Sequence, residues 1–151
     1  MENVVLLQFQ DLGMAAALGL AAVGSALGTG AAGMAAVGAW KKAFAQSKAA
    51  PFILTVFVGA PLTQTIYGMI VMNAIVAAVS KGSYLWGAGI LGGCAMGASA
   101  WMQGRAGAAA ADALGETGKG FGNYLIVLGI IETVALFVMV FILMSIGKLA
   151  G

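Results

Sequence analysis

Charged residues are so sparse in this chain that they act as punctuation. Residues 12–40, 49–80 and 82–104 contain no Asp, Glu, Lys or Arg, and residues 120–147 contain one, Glu132. A helix needs about 20 mainly apolar residues to cross the hydrocarbon core of a bilayer, and each of these four stretches is long enough. Of the 151 residues, 8% are charged and 62% hydrophobic, whereas ordinary soluble domains carry about 25% charged residues. Seven basic and five acidic side chains cannot cover a soluble globule of this size, so a water-soluble enzyme is excluded. The chain has no His, and its one Cys, Cys94, lies in an apolar run. That excludes His-based catalysis, a disulfide framework and the common zinc sites. A net charge of +2, scattered along the chain, gives no nucleic-acid surface. The sequence predicts an all-α integral membrane protein.

The expected transmembrane helices are 12–42, 52–79, 84–111 and 121–148, paired as hairpin 1 (residues 1–80) and hairpin 2 (residues 81–151). The N-terminus does not read as a cleaved signal peptide: it carries Glu2 and Asp11, lacks a basic region and runs straight into the first span. The hairpin connections hold Lys41, Lys42, Lys48, Arg105 and Lys119, whereas the opposite side has Lys81 and Lys148. Basic residues accumulate on the cytoplasmic side, which places both hairpin turns there.

The spans alternate in character. The first and third are rich in Gly and Ala, and Gly89, Gly93 and Gly97 recur every four residues, laying a groove along one helix face. The second and fourth are bulky, with Phe52, Phe57 and Ile70 in one and Phe137, Phe141 and Leu143 in the other. The order small, bulky, small, bulky reads as a duplicated hairpin. The register agrees: Gln64 and Glu132 are 68 residues apart, and the same offset sets Pro51 against Lys119. Small residues let helices approach closely in lipid, where such packing replaces the hydrophobic drive. Two whole helices of this kind suit the inner wall of a homo-oligomeric ring; a compact monomer is the other solution composition allows.

Glu132 is the sharpest single feature. A charge at mid-membrane costs about 2.5–3.5 kcal/mol on insertion scales and marks ion or proton pathways. Near the middle of the second span, Thr63, Gln64 and Tyr67 project from one helix face by their three- and four-residue spacings. Pro61 has no amide hydrogen and disturbs the preceding turn, so carbonyls near Phe57 and Ala60 can point away from the helix ladder. Gln103 adds an amide from the third span. These are hard oxygen donors with no sulfur or imidazole, suited to a hard cation. One carboxylate among neutral oxygens balances a monovalent ion, which points to Na+, or to H+ held on the same carboxyl. Arg105 reads either as a side chain reaching the interface or as a permanent partner of Glu132. Trp40, Trp86 and Trp101 read as interface anchors.

The segments Pro61-Leu62-Thr63-Gln64-Thr65-Ile66-Tyr67-Gly68, Gln103-Gly104-Arg105 and Ile131-Glu132-Thr133 resemble those of the proteolipid, or rotor-ring, subunit of V-type and archaeal-type sodium-transporting rotary ATPases, often called subunit K. The resemblance extends over both hairpins. It implies that Glu132, Gln103, Gln64 and Thr63 ligate Na+ by side chains, with the Ala60 carbonyl as a further ligand, and that Tyr67 bonds Glu132 in the closed state. It also implies a homo-oligomeric ring in a prokaryotic cell membrane, working against a stator membrane subunit and joined to central stalk subunits. The chain would then be no enzyme on its own, since ATP is turned over in a separate soluble head. The alternative is a small four-helix proton- or sodium-coupled exporter acting as a small dimer.

Overall fold

The computed structural model describes the backbone of residues 2–80 and 85–150 and the side chains of residues 12–80 and 85–148. Lys81, one of the charges that bound the second and third stretches, lies outside the described residues, as does the expected start of the third helix at residue 84. Every regular element among the described residues is helical. Helix α1 spans Glu2–Ala45, ten residues further toward the N-terminus than the apolar stretch indicates. The second arm consists of a 3-10 turn at Phe52–Leu54, α2 (Thr55–Gly59), a second 3-10 turn at Ala60–Leu62, and α3 (Thr63–Val79). Hairpin 2 is α4 (Trp86–Thr117) and α5 (Phe121–Ala150).

The break between α2 and α3 falls on Pro61. Its ring cannot donate to the carbonyl of Phe57, four residues back, and the helix tightens into 3-10 geometry there. Helix α4 runs to Thr117 rather than 111, because the Ala-rich segment 106–113 is a strong helix former. Gly118 then ends it at φ 66°, its N–H bonded to the Leu114 carbonyl at 2.8 Å. A left-handed residue at this position is the common glycine stop.

Among the described residues, three segments are long and apolar enough to cross a membrane: Leu12–Ala45, Phe52–Val79 and Phe121–Lys148. The remaining expected span, α4, is a helix but is not among them. Its Gly and Ala carry little apolar surface, and Gln103 and Arg105 lie on it. At 32 residues it still extends about 48 Å, well beyond the roughly 30 Å of hydrocarbon. Other helices shelter it: thirteen of its residues are buried.

Helix α4 is sheltered chiefly by α1, through the most extensive helix contact in the molecule. The Gly89, Gly93, Gly97 groove receives α1 as the spacing suggests. A Cβ on any of the three would strike a carbonyl of α1, from Gly13, Ala16 and Leu20 in turn, and one on Gly104 would collide with Gly28. The two helices touch backbone to backbone, where dispersion and Cα–H···O contacts act at their shortest range.

Two apolar clusters flank the middle of the bundle. One gathers Ala17, Ala21, Val71, Ile75, Met96, Ala135 and Met139; the other gathers Ala36, Leu54, Phe57, Ala111, Leu114 and Leu128. Both draw on both hairpins, so hairpins 1 and 2 share one interior. Between the clusters, every long helix passes through a thin polar layer: Ser25 on α1, Gln64 on α3, Gln103 on α4 and Glu132 on α5. The hairpin turns are tied separately. Trp40 Nε1 donates to the Pro51 carbonyl at 2.9 Å, and Lys42 pairs with Glu116 across the two hairpins.

Candidate ion site in the polar layer

Glu132 sits on α5, partly covered, with a donor on each carboxylate oxygen. The Tyr67 hydroxyl on α3 donates to Oε1 at 2.9 Å. From α4, Gln103 Nε2 donates to Oε2 at 3.4 Å and to the Leu128 carbonyl at 3.0 Å. The Gln103 oxygen in turn accepts from Gln64 Nε2 at 2.8 Å, and Gln64 Oε1 accepts from Thr63 Oγ1 at 3.2 Å. That same hydroxyl lies 3.2 Å from the Ala60 carbonyl. Gln64 and Gln103 are both 0% exposed, and the bond between them, with Thr63 on the Gln64 oxygen and Leu128 and Glu132 on the Gln103 nitrogen, satisfies both amides, as groups without access to water must be.

Six residues singled out in the sequence thus form one connected chain, Ala60–Thr63–Gln64–Gln103–Glu132–Tyr67, and Pro61 is buried at its foot. The one-face spacing of Thr63, Gln64 and Tyr67 accounts for their convergence. The tightening at Pro61 turns Thr63 toward the Ala60 carbonyl. Helix α1 gives the layer no hydrogen bond: the Ser25 and Thr29 hydroxyls are buried without a partner among the described residues.

Arg105 is not Glu132's partner. Its guanidinium lies 5.9 Å from the centre of the Trp101 ring, exposed on the outside of α4. Among the described residues, no protein cation pairs with Glu132; the single ion pair is Lys42–Glu116. No group of three His, Cys, Asp or Glu lies together among the described residues, so the layer offers hard oxygens around one carboxylate.

Ser99, passed over in the sequence, belongs to the same layer. Its hydroxyl donates to the Ile131 carbonyl at 2.8 Å, one residue before Glu132. Its position four residues ahead of Gln103, on the same helix face, was the available signal. A cavity of about 580 Å³ lies elsewhere, at the hairpin-turn end, lined by Lys42, Gln46, Lys48 and Glu116 among others.

Fold and layer together define an integral membrane protein of helical hairpins with one mid-membrane carboxylate held by uncharged donors. Residues 86–145 match the ATP synthase C-subunit family. The match takes in most of hairpin 2, with Ser99, Gln103 and Glu132, and leaves Thr63, Gln64 and Tyr67 outside it. No curated protein matches the chain.

Proposed function

We propose that this chain is a rotor-ring subunit of a V-type or archaeal-type rotary ATPase, carrying Na+ on Glu132, with H+ as the alternative cargo. The observation that carries the reading is the mid-membrane carboxylate joined through Gln103 to Gln64, two fully buried amides, with no cationic side chain against it among the described residues. The family match over α4 and α5 supports the ring assignment. Exposed bulky side chains on α5, such as Ile126, Ile130 and Phe137, suit a lipid-facing outer helix. The Gly and Ala faces of α1 and α4 suit the crowded inner wall.

A cation at Glu132 needs oxygens where Gln103 now offers its amide nitrogen. Loading then turns the Gln103 amide over, a rotation about a soft terminal torsion. Gln64 follows, because the two amides are bonded head to tail. The loaded site is neutral, so it can travel through lipid as the ring turns, whereas an empty carboxylate facing hydrocarbon is costly. The stator and central stalk, together with a separate ATP-hydrolysing head, complete the machine; this chain contributes ion transfer rather than catalysis. Hairpin 1 has Gln64 where hairpin 2 has Glu132, so four helices carry one ion. Fewer ions per turn raise the gradient reached per ATP, which favours a pump over a synthase.

The test is carbodiimide labelling of Glu132 in detergent-solubilised protein near pH 6, with Na+ or K+ at equal ionic strength. Protection by Na+ alone supports the sodium site. Labelling indifferent to Na+ but dependent on pH supports a proton rotor. A large detergent-resistant oligomer separates the ring from a dimeric exporter.

A further inference from the structure

We infer that Ser99 is a positioning residue for the Glu132 site: its hydroxyl fixes α5 against α4 independently of what the carboxylate holds. This rests on the ion-carrier reading above.

Helix α4 hydrogen-bonds to α5 on two successive turns. Ser99 Oγ donates to the Ile131 carbonyl at 2.8 Å, and Gln103 Nε2 to the Leu128 carbonyl at 3.0 Å. The donors are four residues apart on α4 and the acceptors three apart on α5, so the two bonds bracket the turn that ends in Glu132. In lipid no hydrophobic drive holds one helix to another, and interhelical hydrogen bonds take part of that role. The other interhelical hydrogen bonds to α5 at this level, from Tyr67 and Gln103, end on the Glu132 carboxylate itself, and the close backbone packing of the bundle lies between α1 and α4.

The two bonds are not equivalent. Gln103 Nε2 is shared between Leu128 and Glu132, so an amide that turns toward a cation gives up the Leu128 carbonyl. The Ser99 hydroxyl donates to the Ile131 carbonyl and makes no hydrogen bond to Glu132 or to either amide. It therefore keeps its bond in the empty and the loaded state alike and sets the distance between Gln103 and Glu132 that a bound ion must span. Ligand positioning of this indirect sort is worth on the order of tenfold or more in metal affinity.

The Ile131 carbonyl lies within a continuous helix, so Ser99→Ala leaves it its helical N–H partner and the fold intact. Two readouts on the full-length ring test the inference. The first is an isotope-edited infrared band of the Ile131 carbonyl, which should shift to higher frequency in Ser99→Ala and stay in place in Ser99→Thr. The second is carbodiimide labelling of Glu132, titrated with Na+, K+ and pH. Ser99→Ala should raise the half-protecting Na+ concentration on the order of tenfold and narrow the margin over K+, with Ser99→Thr restoring both. If the unsubstituted ring shows no protection by Na+, the sodium reading fails on its own, and the pH midpoint of labelling becomes the measure of Ser99; Tyr67 is the titratable group facing Glu132 there. An unshifted carbonyl band, or a shifted band with unchanged protection and pH midpoint, would overturn the inference and leave Ser99 as simple interhelical glue.

Discussion

The Tyr67 hydroxyl donates to Oε1 of Glu132 over 2.9 Å, joining α3 to α5 across 65 residues of sequence. Gln103 holds the other oxygen from the inner side, so the carboxylate is gripped between a phenol and a buried amide. Tyr67 is itself half-covered, which makes it the outer of the two holds.

Tyr67→Phe keeps the ring and removes the outer hold. Hydrogen bonds between membrane helices average about 0.6 kcal/mol and reach about 1.7, so the fold should survive. Glu132 should become more mobile and its labelling by carbodiimide several-fold faster at equal pH. A labelling rate equal to that of the unsubstituted protein would show that Tyr67 does not restrain the carboxylate.

The Gln64–Gln103 bond predicts a strongly coupled pair. Removing either amide strands the other's buried polar atoms, at about 1–3 kcal/mol for the group left unsatisfied. Gln64→Leu and Gln103→Leu should each lower the denaturation midpoint of the protein. The double variant should lose clearly less than the sum of the two, as read from a double-mutant cycle. Additive losses would mean that the amides do not depend on each other.

Glycines on α1 and α4 separate into two groups. A Cβ on Gly97 would strike the Leu20 carbonyl and one on Gly24 would strike Gly97, whereas a Cβ on Gly19, Gly30 or Gly38 would meet no atom of another element within 4 Å. Gly97→Ala should destabilise the protein by about 1–3 kcal/mol, as overpacking does. Gly30→Leu should leave the helical content and thermal midpoint of the protomer unchanged. If these open faces meet neighbouring copies in a ring, Gly30→Leu should also abolish the large oligomer in detergent, a result that size-exclusion chromatography reads directly.

Glu116 is exposed, and its hydrogen bond to Lys42, reinforced by that side chain's charge, holds the carboxyl below its ordinary range. A depressed carboxylate contributes above its unfolded value and loses the contribution as pH falls through the folded one. The tie between the hairpin turns should therefore be intact at neutral pH and fade in acid, below the usual carboxylate range. Being exposed and screened, it is weak. Glu116→Gln should leave the thermal midpoint at neutral pH unchanged within scatter and remove the small acid-dependent loss expected of the unsubstituted chain.

What the sequence settled by itself was whatever depends on spacing along one helix. Apolar length located the hairpin arms. The four-residue recurrence of Gly89, Gly93 and Gly97 marked a groove, and the spacing of Thr63, Gln64 and Tyr67 put three polar groups on one face. The isolation of Glu132 in an apolar stretch singled it out, because an unneeded charge there is too costly to keep. Helix ends were less legible. The propensity of the Ala-rich segment carried α4 past 111, and Pro61 divided the second arm into short pieces.

Tertiary structure alone decided which faces meet. That α1 fills the α4 groove, that Arg105 turns to Trp101 instead of Glu132, and that Ser99 reaches the Ile131 carbonyl all depend on the rotation and axial register of helices far apart in the chain. Helical periodicity fixes a residue's direction from its own axis and says nothing about what stands opposite. In this protein the register is set where glycine removes the side chain and backbones touch. The polar layer aligns because the α1–α4 contact and the interhelical hydrogen bonds hold all the long helices at one depth.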